Sequence, residues 1–92
     1  MDKNSADAHN NLAWLYAIQG EKLERAVELA ERAVALDANA ARLDTLAYAY
    51  YRYGTYTKAE QAISRAIDLE PNNTDYKERL NEILQAMEAT RK

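Results

Sequence analysis

Cysteine is absent from this 92-residue chain, which excludes disulfide frameworks, thiolate metal sites and thiol nucleophiles. Histidine occurs once, as His9, so a histidine-pair metal site is excluded as well. The two glycines, Gly20 and Gly54, stand far apart, and isolated glycines cannot build a phosphate-cradling loop. Basic residues do not outnumber acidic ones: 12 Lys and Arg face 15 Asp and Glu, for a net charge of −3. Nucleic-acid binding needs a clustered basic excess, so that class is set aside. No apolar run approaches the ~18–20 residues of a membrane span, and no membrane insertion is expected. The start, Met1 to Ser5, lacks the basic and apolar regions of a signal peptide, which favours a cytoplasmic protein.

What remains is a helix-forming composition with a globular charge balance, 48% hydrophobic and 29% charged. Apolar residues recur at helical spacing in five sets: Leu12, Leu15, Tyr16; Leu23, Val27, Ala30, Val34; Leu43, Leu46, Tyr50, Tyr53; Tyr56, Ala59, Ile63, Ala66, Ile67; and Tyr76, Leu80, Ile83, Leu84, Met87. No segment alternates in the strand manner. Capping residues and breakers divide the sets. Ser5 or Asn4 caps the first helix, Gly20 ends it, Asn39 caps the third and Gly54 ends it. Pro71 closes the fourth, and an Asn after it caps the fifth. The expectation is an all-α fold of five helices, about 6–19, 22–37, 40–53, 56–69 and 74–90.

The chain also repeats itself. Leu12-Ala13, Tyr16 and Gly20 return as Leu46-Ala47, Tyr50 and Gly54, a shift of 34 residues, with Leu80 a further 34 on. Ala26, Ala30, Ala33-Val34 and Leu36 return as Ala59, Ile63, Ala66-Ile67 and Leu69 with a shift of 33. One extra residue in the first hairpin turn explains the difference. Small residues at Ala13, Ala26, Ala33, Ala47, Ala59 and Ala66 let paired helices approach to about 8–10 Å. Leu12, Leu46, Tyr16 and Tyr50 are the large side chains expected between them.

A 34-residue helix–turn–helix unit with this pattern resembles the tetratricopeptide repeat, and its wording around Leu43–Ala47 and Tyr50–Gly54 looks like bacterial members. The resemblance implies a short right-handed α-solenoid: repeat 1 at about 6–39, repeat 2 at about 40–73, and a capping helix at about 74–90, together a single domain over 1–92. About three repeats are usual for solenoid stability. Two and a half copies therefore leave a structural alternative in view: an oligomerisation unit self-associating through the same face, either a fragment of a longer array or a designed miniature.

Catalysis finds little in these residues. His9 stands where the family favours an apolar aromatic and is expected to be a half-buried structural residue. Glu21–Arg25 and Glu28–Arg32 are spaced as solvated i,i+4 pairs. No enzyme, cofactor or metal site is expected. The informative feature is on the first helix of each unit. At 100° per residue, Trp14 lies about 200° and Ile18 about 240° around the helix from Leu12. Tyr48 and Arg52 repeat those positions, with Asp44 and Tyr51 alongside, and Asn10, Glu78 and Glu82 complete the face. Large aromatics opposite a core face mark an interface, or else Trp14 and Tyr48 pack between adjacent units as extended core. In the family this face lines the concave groove that binds peptides, so these nine residues are the expected partner-binding groove. Its aromatic end at Trp14 and acidic end at Glu82 imply an amphipathic protein or peptide partner with a basic residue. A homodimer is the other partner implied. A carboxylate-gripping subtype of the family needs Lys and Asn where Asn10 and Trp14 stand, Asn where Thr45 stands, and a Lys–Arg pair where Asp75 and Arg79 stand. Only Arg79 matches, and Asp75 is its expected i,i+4 partner.

Overall fold

The computed structural model describes residues 5–91. They form five α-helices: α1 Ala6–Gln19, α2 Leu23–Leu36, α3 Ala40–Tyr53, α4 Tyr56–Leu69 and α5 Thr74–Arg91. No strand occurs among the described residues. The boundaries follow the capping chemistry. The Ala8 N–H donates to Ser5 Oγ at 3.3 Å and the Arg42 N–H to Asn39 Oδ1 at 2.8 Å. Asn73 Oδ1 accepts from the N–H groups of Asp75 and Tyr76 at the start of α5. The alternative cap at Asn4 and the signal-peptide reading lie outside the described residues. Gly20 and Gly54 close α1 and α3 in the left-handed conformation, φ 69° and 95°, which glycine adopts without a Cβ penalty. α2 is one residue shorter at each end than expected. Lys22, at φ 52°, is left-handed and outside the helix; it is how the longer first turn absorbs its extra residue. α5 runs one residue further than expected.

α1 pairs with α2 and α3 with α4, while α3 also seats on α2 and α5 on α4. α1, α3 and α5 touch in succession and form one layer; α2 and α4 form the other. The molecule measures 45 × 30 × 17 Å, thin in one direction because it is two helices thick, each about 10 Å across. The six alanines assigned to helix contacts are fully buried, and Leu43, Ile63 and Ile83 are the largest fully buried side chains.

Four large residues expected in the core are exposed. Leu12 and Leu15 lie open on α1, Tyr53 on the last turn of α3 and Leu84 on α5. For Leu12 and Leu15 the cause is position in the stack. α2 covers the side of α3 that carries Leu46 and Ala49, but among the described residues no helix covers that side of α1. Leu84 repeats the position of Tyr50, which faces α4, and no described helix follows α5 to do the same. The expected i,i+4 pairs Glu21–Arg25 and Glu28–Arg32 also give way, Glu21 lying before the start of α2. Arg25 instead approaches Glu28 at 3.6 Å, an i,i+3 spacing, with both side chains solvated.

Arg42 is a buried cation that the repeat pattern does not announce, since its counterparts are Ala8 and Tyr76. Its guanidinium reaches Asp7 at the start of α1, and Nη1 donates to Asp37 Oδ2 at 2.9 Å and to the Asp37 carbonyl at 3.1 Å. It ties the first turn of α1 to the α2–α3 connection.

Candidate functional site

α1, α3 and α5 present one face made from the positions that repeat every 34 residues. Trp14 and Tyr48 meet across it, ring centroids 5.0 Å apart and tilted by 42°. Tyr48 continues to Tyr51 at 6.3 Å, and Tyr51 to Tyr56 of α4 at 6.0 Å. These are tilted and offset arrangements at 5.0–6.3 Å, which the ring quadrupole favours over a flat sandwich. The run crosses from α1 to α3 to α4. Trp14 stays 36% exposed and Ile18, one turn later, 50%. Hollows elsewhere, such as one lined by Ala38, Leu43, Arg65, Asp68 and Leu69, contain none of these aromatics. A broad aromatic surface suits an extended segment better than a compact small molecule.

The charges on this face are mostly committed. Asp44 accepts from Arg79 of α5 through both oxygens, Nε to Oδ1 at 2.9 Å and Nη2 to Oδ2 at 3.3 Å. Arg79 Nη1 lies 3.9 Å from Glu82 Oε1. The same guanidinium stands over Tyr48, its Cζ 4.4 Å from the ring centroid, and 5.8 Å from that of Trp14. Burial opposes the Arg79 charge, but the hydrogen bonds and charge of Asp44, with Glu82 and Tyr48 adding, outweigh it and raise the pKa. The expected pairing of Arg79 with Asp75 is therefore corrected: a longer reach to α3 gives a bidentate, aromatic-backed contact that an exposed i,i+4 partner cannot offer. Arg52 is turned to the end of α1, where its Nε donates to the Ala17 carbonyl at 2.9 Å. Glu78 and Glu82 remain exposed, while Asn10 is half-buried with Oδ1 unpartnered among the described residues.

The nine expected groove residues thus separate. Trp14, Asp44, Tyr48, Tyr51 and Glu82 are linked by direct contacts through one another or Arg79; Ile18 and Glu78 flank them on their own helices; Arg52 is turned to the Ala17 carbonyl, and Asn10 joins none of these contacts. Two participants were not legible as such, Tyr56 and Arg79. Tyr56 read only as an apolar position of α4. Arg79 did carry a signal, because it stands where α3 has the buried Thr45, and a charge at a buried position requires a counter-charge nearby.

His9 is half-buried, with Nδ1 2.8 Å from the Ser5 carbonyl oxygen, an arrangement that supports the first turn of α1. Among the described residues no group of three His, Cys, Asp or Glu could hold a metal ion, and no helix is long and apolar enough to cross a membrane.

No curated protein matches the chain. The tetratricopeptide repeat family does match, at residues 6–39 and again at 42–73, with α5 following as a further helix. Two matched copies spanning well over half of the sequence, folded as stacked helical hairpins, make this chain a member of the tetratricopeptide repeat family.

Proposed function

We propose that the chain is a non-catalytic interaction module, one domain closed by α5, that binds a short extended protein segment along α1, α3 and α5. Tetratricopeptide repeats in general mediate protein–protein contacts. The observation that carries the finer reading is the Trp14–Tyr48 contact. It joins two repeats, with Tyr48 packed against the edge of the core, and it leaves Trp14, the largest aromatic of the chain, partly in solvent. Tyr and Trp in such positions are the residues that dominate binding energy. Three helices about 10 Å apart span ~20 Å, the length of about six extended residues at ~3.3 Å each. A contact that small falls below the ~1,200–2,000 Å² of stable interfaces, so micromolar affinity is expected.

The test is a peptide-library selection on the folded chain, followed by titration of Trp14→Ala, Tyr48→Ala and Glu82→Lys. Loss of binding by about 2 kcal/mol or more in the two aromatic variants is the expected result. Glu82→Lys should weaken basic ligands and leave the melting temperature nearly unchanged. If Trp14→Ala and Tyr48→Ala destabilise the fold as much as Leu46→Ala, the aromatics belong to the core and the groove reading fails.

A second reading, self-association, is favoured by one observation. α1 is apolar all round from Leu12 to Ile18, yet Leu12, Leu15 and Ile18 are open. A helix of that kind is ordinarily covered on more than one side. Sedimentation over a concentration series separates the readings: a monomer that binds peptides supports the groove, a dimer that excludes them supports self-association.

A further inference from the structure

We propose that Trp14, Tyr48 and Asp44 form an arginine cage, occupied in the free protein by Arg79 and yielded to an arginine of a bound partner. The inference rests on the groove reading and names the residue chemistry that the groove selects. Its basis is that the chain has already placed a guanidinium there. Two parallel N–H groups meet the two oxygens of Asp44 at 2.9 and 3.3 Å. The cation lies over Tyr48 at 4.4 Å and beside Trp14 at 5.8 Å. A fork on a carboxylate combined with stacking on aromatic faces fits a planar guanidinium, and a lysine ammonium can satisfy only one of the two. The site recognises arginine as such.

The cage is mostly buried but open to solvent at the groove face, unlike the fully enclosed aliphatic core. Asp44 stands at a groove-lining position, repeated as Asn10 and Glu78, and the side chains of Arg79 and Asp44 retain 16% and 19% of their exposure. Arg79 arrives from α5, at the groove's acidic end, and lies across it as an extended ligand's side chain would. Exchange is also chemically balanced. One guanidinium replaces another on the same carboxylate, so the pair itself changes little. The displaced Arg79 has acceptors on its own helix, Glu82 at 3.9 Å and Asp75 four residues earlier. What decides occupancy is the tethering advantage of Arg79 against the extra contacts a partner makes with exposed Trp14 and Ile18. A tethered group competes at an effective concentration of about millimolar, so a micromolar segment displaces it and free arginine does not.

Trp14 is the sole tryptophan, so its fluorescence reports the cage directly. The probes are a capped hexapeptide carrying one leucine and one arginine, and its lysine and citrulline analogues, titrated into the wild-type chain, Arg79→Gln and Asp44→Asn. Removing the internal competitor should tighten the arginine peptide by about tenfold or more in Arg79→Gln. The arginine peptide should bind about tenfold more tightly than either analogue, and Asp44→Asn should abolish that preference. In case a substitution loosens α5, the wild-type protein supplies an independent readout: the Arg79 Nε–H NMR resonance should move on adding the arginine peptide and not the lysine peptide. Equal binding of the three peptides, or an unmoved Arg79 resonance while the arginine peptide binds, overturns the cage and leaves the groove reading standing. If no peptide of any composition, library-selected ones included, perturbs Trp14, both fail.

Discussion

Leu46 and Leu12 occupy the same place in successive repeats, 34 residues apart, yet Leu46 is 7% exposed and Leu12 is 38% exposed. The difference is made by α2, which covers that side of α3. Leu46→Ala removes a buried side chain and leaves a cavity, for an expected loss of about 2–5 kcal/mol. Leu12→Ala removes a partly solvated one without enclosing a cavity and should cost less, about 1–2 kcal/mol. Urea denaturation of both variants checks the contrast, and equal losses would mean that the side of α1 carrying Leu12 is covered in solution.

Gly20 and Gly54 end equivalent helices in the same left-handed conformation but face different surroundings. A Cβ on Gly54 meets nothing within 4 Å, whereas one on Gly20 falls 2.7 Å from Nη2 of Arg52. Gly54→Ala should therefore cost only the backbone penalty, about 1 kcal/mol. Gly20→Ala should cost more, because Arg52 must shift from its hydrogen bond with the Ala17 carbonyl. In an Arg52→Ala background the two substitutions should cost the same. A double-mutant cycle by chemical denaturation tests this.

The repeat made most of the fold legible, because alanines at 13, 47, 26 and 59 and glycines at 20 and 54 encode local approach and termination. It also treated equivalent positions as equally buried, which holds only inside a stack. Leu12, Leu15 and Leu84 follow the pattern of α3 but lie at the two ends of the described helices, where one flank is open. The aromatic pair Trp14–Tyr48 was readable from helix angle alone. The engagement of Arg79 with Asp44 was not, since it joins residues 35 apart on helices that meet only after stacking. Spacing within one helix favoured Asp75, and tertiary geometry overrode it.

Tyr50 gives the fold a sensitivity to alkali. Its hydroxyl donates to Glu31 Oε2 at 2.5 Å. Burial first, then the hydrogen bond and charge of Glu31, raise its pKa above the ordinary 10.0. Tyr76 is raised too, by burial and by the carboxylates of Glu70, Asp44 and Asp75. A raised acid keeps its proton in the folded chain at a pH where the unfolded chain has released it. The unfolded state then binds fewer protons, so stability is fully present below about pH 10 and falls as pH rises beyond it. Urea midpoints should be nearly flat from about pH 7 to 9 and decline above about pH 10. Tyr50→Phe should make that decline shallower. An identical slope in both proteins would show that the Tyr50–Glu31 contact does not persist in solution.

Arg42 separates packing from charge. Its side chain is nearly buried, but its partners Asp7 and Asp37 are largely solvated, at 79% and 68% side-chain exposure. Removing Arg42 therefore strands no buried carboxylate, and the severe penalty of a broken interior ion pair does not apply. Arg42→Met keeps most of the apolar stem and should cost about 1 kcal/mol at low salt. Much of that difference should vanish at 1 M NaCl, where the screening length is about 3 Å. Arg42→Ala loses the stem as well, adding a packing loss of about 1–2 kcal/mol that salt does not remove. Because Asp7 lies in the first turn of α1, both variants should speed amide exchange there before it rises in α3. If Arg42→Met is neutral at low salt and the first turn of α1 stays protected, Arg42 acts by its apolar stem alone and the link to Asp7 carries no stability.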